Sequence, residues 1–305
     1  MVGAGLMGHG IAQEFLLAGY DVRLHDVTEE RLVRARESIR SNLQLLTGIG
    51  LIAPGAAERA PARLRTTTVL KEAVSGADLV IEAAFEDLNL KREIFRSIDA
   101  LTPDHAILAS NSSSFMPGLM ASATGKPGNV LVAHYFNPPY LLPLVELVRH
   151  ETTSDETVNA LFELLTRMGK TPVVVRKEAP GFVGNRLQAA LFREALSIVE
   201  QGIATPADVD TVIRNGFGRR LGAAGVFEIW EIAGWDLILA ICENLFPTLE
   251  SRTTPAPTLK EMVARGELGV KTGRGFYDWT PESVNALKTR IAGTLAEIAR
   301  ANRRG

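Results

Sequence analysis

The pattern of apolar and polar positions divides the chain into two parts. Up to residue 175, short apolar runs alternate with longer segments whose apolar residues recur at helical spacing. The apolar runs predict strands at residues 22–24, 78–83, 106–110, 129–133, 144–148 and 171–175. The helical spacing predicts helices at residues 11–18, 29–46, 69–74, 88–98 and 155–168. This alternation predicts an α/β fold with a Rossmann-type, doubly wound and mostly parallel sheet.

The second part of the chain is predicted to be helical throughout. Beyond Lys177-Glu178-Ala179-Pro180-Gly181, helices are expected at residues 183–200, 206–213, 228–249, 258–265 and 281–301, the third range carrying one or two helices around Gly234. We therefore predict a first domain at residues 1–178 and an all-α C-terminal domain at residues 179–305. We also expect the aromatic residues Phe182, Phe192, Phe227 and Trp230 to belong to the core rather than to a ligand site.

Composition and charge exclude several classes of function. The chain has 305 residues, 46% of them hydrophobic, and a formal net charge of -2 without a long run of one sign. A nucleic-acid or anionic-membrane partner requires a basic face, so we expect neither partner. Cys242 is the single cysteine, which excludes an intrachain disulfide and a zinc cluster, and we expect no metal. We expect a cytoplasmic protein without a membrane span, because no apolar stretch approaches the roughly 18 residues that a span needs.

A glycine motif near the start predicts a dinucleotide site. Gly3-Ala4-Gly5-Leu6-Met7-Gly8 fits the pattern G-x-G-x-x-G and opens the helix predicted at residues 11–18. The first glycine allows a tight turn, the second admits a pyrophosphate, and the third lets helix and strand pack closely. Asp26 closes the next strand, where a carboxylate accepts hydrogen bonds from ribose hydroxyls and repels a 2′-phosphate. The pattern predicts NAD rather than NADP, bound by Gly3, Gly5, Leu6, Met7, Gly8 and Asp26.

Polar residues follow the ends of later strands, where ligands of such sheets bind. The strand at residues 129–133 ends at His134, and the run at residues 144–148 carries one carboxylate, Glu146, among apolar neighbours. An ionised carboxylate in an apolar strand is costly unless it is paired, and His134 is the nearest candidate partner along the chain. A carboxylate-held imidazole would serve as a base. Alternatively, His134 is a core histidine and Glu146 merely faces solvent.

Several motifs together resemble the 3-hydroxyacyl-CoA dehydrogenase family over nearly the whole chain. They are the glycine motif, Val80-Ile81-Glu82-Ala83 with Glu86 and Lys91, Ser110-Asn111-Ser112-Ser113-Ser114, His134-Tyr135-Phe136-Asn137-Pro138 with Glu146, Pro180-Gly181-Phe182-Val183-Gly184-Asn185-Arg186, and Lys271-Thr272-Gly273-Arg274-Gly275-Phe276-Tyr277. The stretches Asn137–Val148, Ser113–Pro117 and Asn185–Gln188 look closer to the L-gulonate 3-dehydrogenase (lambda-crystallin) branch, whose members oxidise free hydroxy acids.

The resemblance implies a role for each matching residue. His134 looks like the catalytic base and Glu146 like its partner, while Ser113 and Asn185 match residues that hydrogen-bond the substrate. Positions that line the cofactor in the family are matched by Glu86, Lys91, Asn111, Ser113 and Asn137. The implied reaction is NAD-dependent oxidation of the 3-hydroxyl of an L-3-hydroxyacyl substrate, in fatty acid metabolism.

Two alternatives stay open from the sequence. The substrate is a CoA thioester or a free 3-hydroxy acid such as L-gulonate. Residues 41–58 contain no lysine or arginine to meet the CoA phosphates, although Arg59, Arg63 and Arg65 could substitute. An NAD-binding protein without turnover, with a structural or sensing role, is the alternative from another class. In either case the apolar stripes of the helical domain need a surface to pack on, so we expect a homodimer formed through that domain.

Overall fold

The computed structural model of the chain describes residues 1–302. Its strands are β1 (Val22–His25), β2 (Leu64–Thr67), β3 (Leu79–Glu82), β4 (Ile107–Ser110), β5 (Val130–Tyr135), β6 (Leu144–Val148) and β7 (Thr171–Val175). Its α-helices are α1 (Leu6–Leu17), α2 (Glu29–Gly48), α3 (Pro54–Arg59), α4 (Leu70–Val74), α5 (Leu88–Leu101), α6 (Pro117–Ala121), α7 (Asp155–Arg167), α8 (Gly184–Glu200), α9 (Pro206–Asn215), α10 (Phe217–Leu221), α11 (Val226–Ala233), α12 (Trp235–Leu245), α13 (Pro257–Ala264) and α14 (Pro281–Asn302). This order confirms the predicted α/β fold followed by a helical C-terminal part.

The sheet is parallel except at one strand pair. Strand β1 pairs with β2, and strands β3 to β7 are neighbours in chain order, with β6 antiparallel to β5. Val2 forms parallel bridges to both His25 and Glu82, so the segment before the glycine motif joins β1 to β3. Parallel strands need a crossover of about a dozen or more residues, whereas only the proline-rich turn after Tyr135 separates β5 from β6. The short connection therefore accounts for the antiparallel pair.

The central strands are buried on both faces. Along β3 and β5, neighbouring residues belong alternately to two apolar clusters: Val80 and Val132 to one, and Ile81 and Leu131 to the other. Because successive side chains of a strand point to opposite faces, these strands carry almost no polar positions. The exceptions are the residues at their carboxyl ends, which form the site described below.

The sequence pattern missed short elements between the predicted ones. Strand β2 and helix α6 were not predicted. Helix α3 lies within residues 48–61, whose glycine, proline and alanine content indicates a loop or a broken helix. These elements have at most six residues each, too few to show a clear period. Thr28, by contrast, caps α2 as its sequence indicates, because its side chain accepts a hydrogen bond from Arg31 N.

The chain forms two compact units. The first is Met1–Arg186 together with residues 295–302, and the second is Leu187–Thr294. The domain boundary drawn between residues 178 and 179 stays a prediction. None of the helices within residues 1–302 combines the length and the apolar character required to cross a membrane.

The second unit exposes many large apolar side chains. Phe227 is 76% exposed and Ile232 is 87% exposed, although both lie on the short helix α11. Phe192 and Trp230 are also exposed, so the prediction that these aromatic residues belong to the core is wrong for the chain by itself. Phe182, in the first unit, is buried as predicted.

Candidate active site

The glycine motif forms a turn that only glycine can make at two of its three positions. Gly3 has φ +96°, and a Cβ there would lie 2.6 Å from the carbonyl oxygen of Ala83. A Cβ on Gly8 would lie 1.9 Å from the carbonyl oxygen of Gly3. A Cβ on Gly5 would meet nothing within 4 Å, which leaves the surface at Gly5 open to a ligand. The turn therefore fits a dinucleotide, whose pyrophosphate would be held by the free N–H groups at the start of α1.

Asp26 lies against this turn, at the end of β1. Its Oδ2 accepts a hydrogen bond from Ala4 N over 2.8 Å, and its Oδ1 accepts one from Val27 N over 2.8 Å. The guanidinium of Arg31 is 3.2 Å from Oδ1 and lies over the ring of Phe85. The carboxylate thus has a structural task in the turn, in addition to the charge that is expected to meet a ribose.

His134 and Glu146 are cross-strand partners on β5 and β6. His134 Nδ1 lies 2.8 Å from Glu146 Oε2, and both side chains are buried. The antiparallel register therefore joins two residues that the proline-rich turn separates in the sequence. The His134 ring also packs against Phe136, with ring centroids 4.7 Å apart, and against Phe182, with centroids 5.6 Å apart.

The second oxygen of Glu146 is held by the start of helix α8. Oε1 accepts hydrogen bonds from Val183 N over 3.0 Å and from Gly184 N over 2.8 Å. Burial raises the pKa of Glu146, but the hydrogen bonds from His134, Gly184 and Val183 outweigh it, so this pKa lies below its ordinary value. The carboxyl group is therefore ionised at neutral pH.

This ionisation fixes the tautomer of His134. An ionised carboxylate only accepts hydrogen bonds, so the proton in the contact between the two side chains belongs to Nδ1 of the imidazole. In the neutral ring, Nε2 then carries the free lone pair. The pair can accept a proton at Nε2, and Glu146 would stabilise the resulting imidazolium.

The substrate-binding candidates Ser113 and Asn185 also meet. Asn185 Nδ2 donates to the carbonyl oxygen of Ser113 over 3.3 Å. Asn185 directly follows the two residues that bind Glu146, so the start of α8 joins the Ser113 segment to the His134–Glu146 pair. Asn111 Oδ1, in the same segment, accepts a hydrogen bond from Tyr135 N over 2.9 Å.

Glu86 and Lys91, expected to line the cofactor, belong to a charged network. Lys91 is only 1% exposed, and its ammonium lies 2.8 Å from Glu82 and 3.3 Å from Glu86. Burial raises the pKa of Glu86, but hydrogen bonds from Ser112 and Ser114 and the nearby Lys91 more than offset this, so the pKa is lowered. Glu86 is exposed and anionic.

No role was predicted for Glu82, which is fully buried at the end of β3. A signal for it was present, because Glu82 is a carboxylate in an apolar run, as Glu146 is. Gly184 was likewise missed, since its contact with Glu146 depends on the tertiary fold. Asn137, expected near the cofactor, lines a groove of about 500 Å³ together with Leu6, His9, Arg34 and Tyr140 among others.

Comparisons with known proteins match both parts of the chain to one family. The model of the 3-hydroxyacyl-CoA dehydrogenase NAD binding domain matches residues 1–179, and that of the 3-hydroxyacyl-CoA dehydrogenase C-terminal domain matches residues 181–279. The chain belongs to the 3-hydroxyacyl-CoA dehydrogenase family. It is accordingly an NAD-dependent oxidoreductase that acts on a hydroxyl group, as the resemblance of its motifs implied.

Relatives within the family differ in what their names say they act on. The 5-formyl-3-hydroxy-2-methylpyridine 4-carboxylate 5-dehydrogenase of Mesorhizobium japonicum is 33% identical over 98% of this chain and 96% of its own length. A probable 3-hydroxybutyryl-CoA dehydrogenase of Deinococcus radiodurans is 36% identical over 92% of this chain and 99% of its own. The lambda-crystallin of Oryctolagus cuniculus is 38% identical over 80% of this chain and 76% of its own.

A solved structure is similar over the whole chain. The structure of a 5-formyl-3-hydroxy-2-methylpyridine 4-carboxylic acid 5-dehydrogenase, described as an NAD+ dependent dismutase, superposes with a TM-score of 0.91 at 33% identity. The similarity covers 98% of this chain and 96% of that one.

Proposed function

We propose that this protein oxidises the 3-hydroxyl of an L-3-hydroxyacyl compound to the 3-oxo product, with NAD+ as the hydride acceptor. The observation that carries the proposal is the contact between His134 Nδ1 and Glu146 Oε2, which leaves Nε2 of a buried imidazole available as a base. A histidine in this state is suited to take the proton of a secondary alcohol.

The chain's own residues account for the proton transfer. As the hydroxyl oxygen loses its proton to His134 Nε2, the C3–O bond becomes a carbonyl and the C3 hydrogen leaves with its electron pair. Bound NAD+ supplies the acceptor for that hydride. Glu146 holds the ring and stabilises its positive charge, while Ser113 and Asn185 would hydrogen-bond the substrate. In the reverse reduction, His134 returns the proton. General acid–base help of this kind contributes about 10²–10⁴-fold in rate.

The names of the relatives do not agree on one substrate. The relative from Deinococcus radiodurans is named for a CoA thioester, and the relative from Mesorhizobium japonicum is named for a free pyridine carboxylate. We take the thioester as the leading candidate on the family match, and a free 3-hydroxy acid such as L-gulonate as the second. The absence of lysine and arginine from residues 41–58 favours the second.

A substrate screen that follows NADH absorbance tests the proposal. The panel holds acetoacetyl-CoA and longer 3-oxoacyl-CoAs with NADH, and L-3-hydroxybutyrate and L-gulonate with NAD+. We expect turnover on at least one of these compounds. NADH left unoxidised by acetoacetyl-CoA at high enzyme, together with turnover on a free acid, removes the thioester. Failure of every compound contradicts the proposed function.

We further propose that the protein works as a homodimer through its helical unit. The support is the exposure of apolar side chains such as Phe227 and Ile232, which in a single chain would face water. A cytoplasmic location and a role in fatty acid metabolism also remain proposals. The single cysteine agrees with a reducing compartment, and the family match agrees with hydroxyacyl metabolism.

A further inference from the structure

The four serines of residues 110–114, which begin at the last residue of β4, divide into two kinds. The hydroxyls of Ser110, Ser112 and Ser114 each donate to a carboxylate, over 2.6, 2.5 and 2.6 Å respectively. Ser113 is different, since no hydrogen bond within residues 1–302 engages its hydroxyl. Ser113 is exposed, whereas Ser110 and Ser112 are buried. In this segment, the Ser113 hydroxyl is therefore available to a substrate, whereas the hydroxyls around it already form hydrogen bonds.

The carboxylates of Glu82 and Glu86 hold this segment through hydrogen bonds. Glu82 accepts from Ser110 Oγ over 2.6 Å, from Ala84 N over 2.6 Å and from Lys91 Nζ over 2.8 Å, so its buried charge is fully paired. Glu86 Oε1 accepts from Ser112 Oγ over 2.5 Å and from the hydroxyl of Ser114 over 2.6 Å. Because the ammonium group of Lys91 contacts both carboxylates, it links Glu82 to Glu86.

Further hydrogen bonds connect Glu82 and Glu86 to the backbone around Ser113. Ser110 Oγ accepts a hydrogen bond from Ser112 N over 3.1 Å, and Ser112 Oγ accepts one from Phe115 N over 2.9 Å. Ser114 N donates to Glu86 Oε1 over 3.2 Å. The backbone on both sides of Ser113 is thus fixed by hydrogen bonds that end on Glu82 or Glu86.

We propose that Glu82 and Glu86 are positioning residues, which act through Ser110 and Ser112 to hold the Ser113 hydroxyl in place for the substrate. Charge-assisted hydrogen bonds to carboxylates are strong and directional, so they suit a loop that must keep one side chain in a fixed place. The inference rests on the proposed function, because it assigns Ser113 a contact with the 3-hydroxy or 3-oxo group.

The test is a double-mutant cycle on kcat/KM, with the best substrate of the screen. Glu82→Gln is the obvious variant, but it deprives buried Lys91 of its closest anion and would endanger folding. Ser110→Ala is milder, because Glu82 keeps Lys91 and Ala84 N as donors. The effect of Ser110→Ala on kcat/KM is measured in the wild-type background and in the Ser113→Ala background. Ser112→Ala is measured in the same two backgrounds as a second variant. Ser97→Ala on α5, which loses a surface hydroxyl, is the matched control.

We expect Ser110→Ala to lower kcat/KM about tenfold in the wild type and less than about twofold in the Ser113→Ala background. NADH affinity, followed by fluorescence, should stay within about threefold. Equal losses in the two backgrounds, or no loss in either, would overturn the positioning role and leave the proposed function intact. The absence of turnover on every compound would overturn both.

Discussion

Gly184 N donates a hydrogen bond of 2.8 Å to Oε1 of Glu146, so the start of helix α8 holds the carboxylate that contacts the His134 imidazole, the proposed base. This contact needs a residue without a side chain. A Cβ at position 184 would lie 2.5 Å from Cζ of Phe136, whose ring packs on that of His134. The backbone approach and the ring packing therefore depend on the same glycine.

Gly184→Ala is expected to lower turnover by displacing Phe136 and with it the His134 ring. Overpacking of this kind also costs about 1–3 kcal/mol of unfolding free energy. NADH affinity should change little, because the glycine motif is untouched. Gly48→Ala is the matched control, since a Cβ there meets nothing within 4 Å. Wild-type kcat in Gly184→Ala would show that Phe136 does not constrain the imidazole.

Asp26→Asn is expected to weaken the preference for NAD over NADP by at least about tenfold. Asparagine keeps an oxygen that can accept from Ala4 N, but it removes the charge that repels a 2′-phosphate. It also releases Arg31, now 3.2 Å from the carboxylate, to meet that phosphate. The measurement is kcat/KM with each cofactor, and Asp21→Asn at the surface serves as the control. An unchanged cofactor ratio would disprove the electrostatic role of Asp26.

His9 is expected to make the protein less stable in weak acid. Burial lowers the pKa of His9 from its usual 6.5, and the hydrogen bond to the carbonyl of Gly5 only partly opposes this. Below pH 6.5 the unfolded chain therefore binds a proton that the folded chain does not, so unfolding becomes easier as pH falls.

His9→Asn should remove this part of the acid sensitivity. Below pH 6.5, the unfolding free energy of the wild type should fall relative to that of the variant, by at most about 1.4 kcal/mol per pH unit. Denaturant unfolding at several pH values measures it, with the exposed His105→Asn as the control. A difference that does not vary with pH would contradict the prediction.

Ile232→Asp is expected to weaken the homodimer. A charge placed on this exposed apolar position of α11 would have to be desolvated in an interface. Light scattering should give twice the chain mass for the wild type and a concentration-dependent lower mass for the variant. Val69→Asp, at an exposed apolar position of the other unit, should leave the mass unchanged. A monomeric wild type would refute the homodimer proposal.

The sequence predicted those features of the site that local chemistry determines. The turn could be predicted because the glycine motif is followed directly by a helix. The association of His134 with Glu146 could be predicted because a carboxylate in an apolar run needs a partner. Their direct opposition required the antiparallel register of β5 and β6, which follows from the short turn between them. Glu82 carries the same signal, a carboxylate in the apolar run at residues 78–83, but its partners were not predicted.

Other features depend on contacts between distant segments. Ser110 and Glu82 meet only because the ends of β3 and β4 are neighbours in the sheet. The exposure of Phe227 could not be predicted, because an apolar helix stripe is the same in sequence whether it packs in a core or on another chain.

The proposed mechanism depends most on His134 Nε2 as the base, and His134→Ala tests this directly. Turnover of the best substrate and NADH binding are measured on the same preparation. We expect a loss of about 10²–10⁴-fold in kcat, with NADH affinity within about threefold of the wild type. Turnover that survives the substitution, or NADH binding that is lost together with it, would contradict the catalytic assignment.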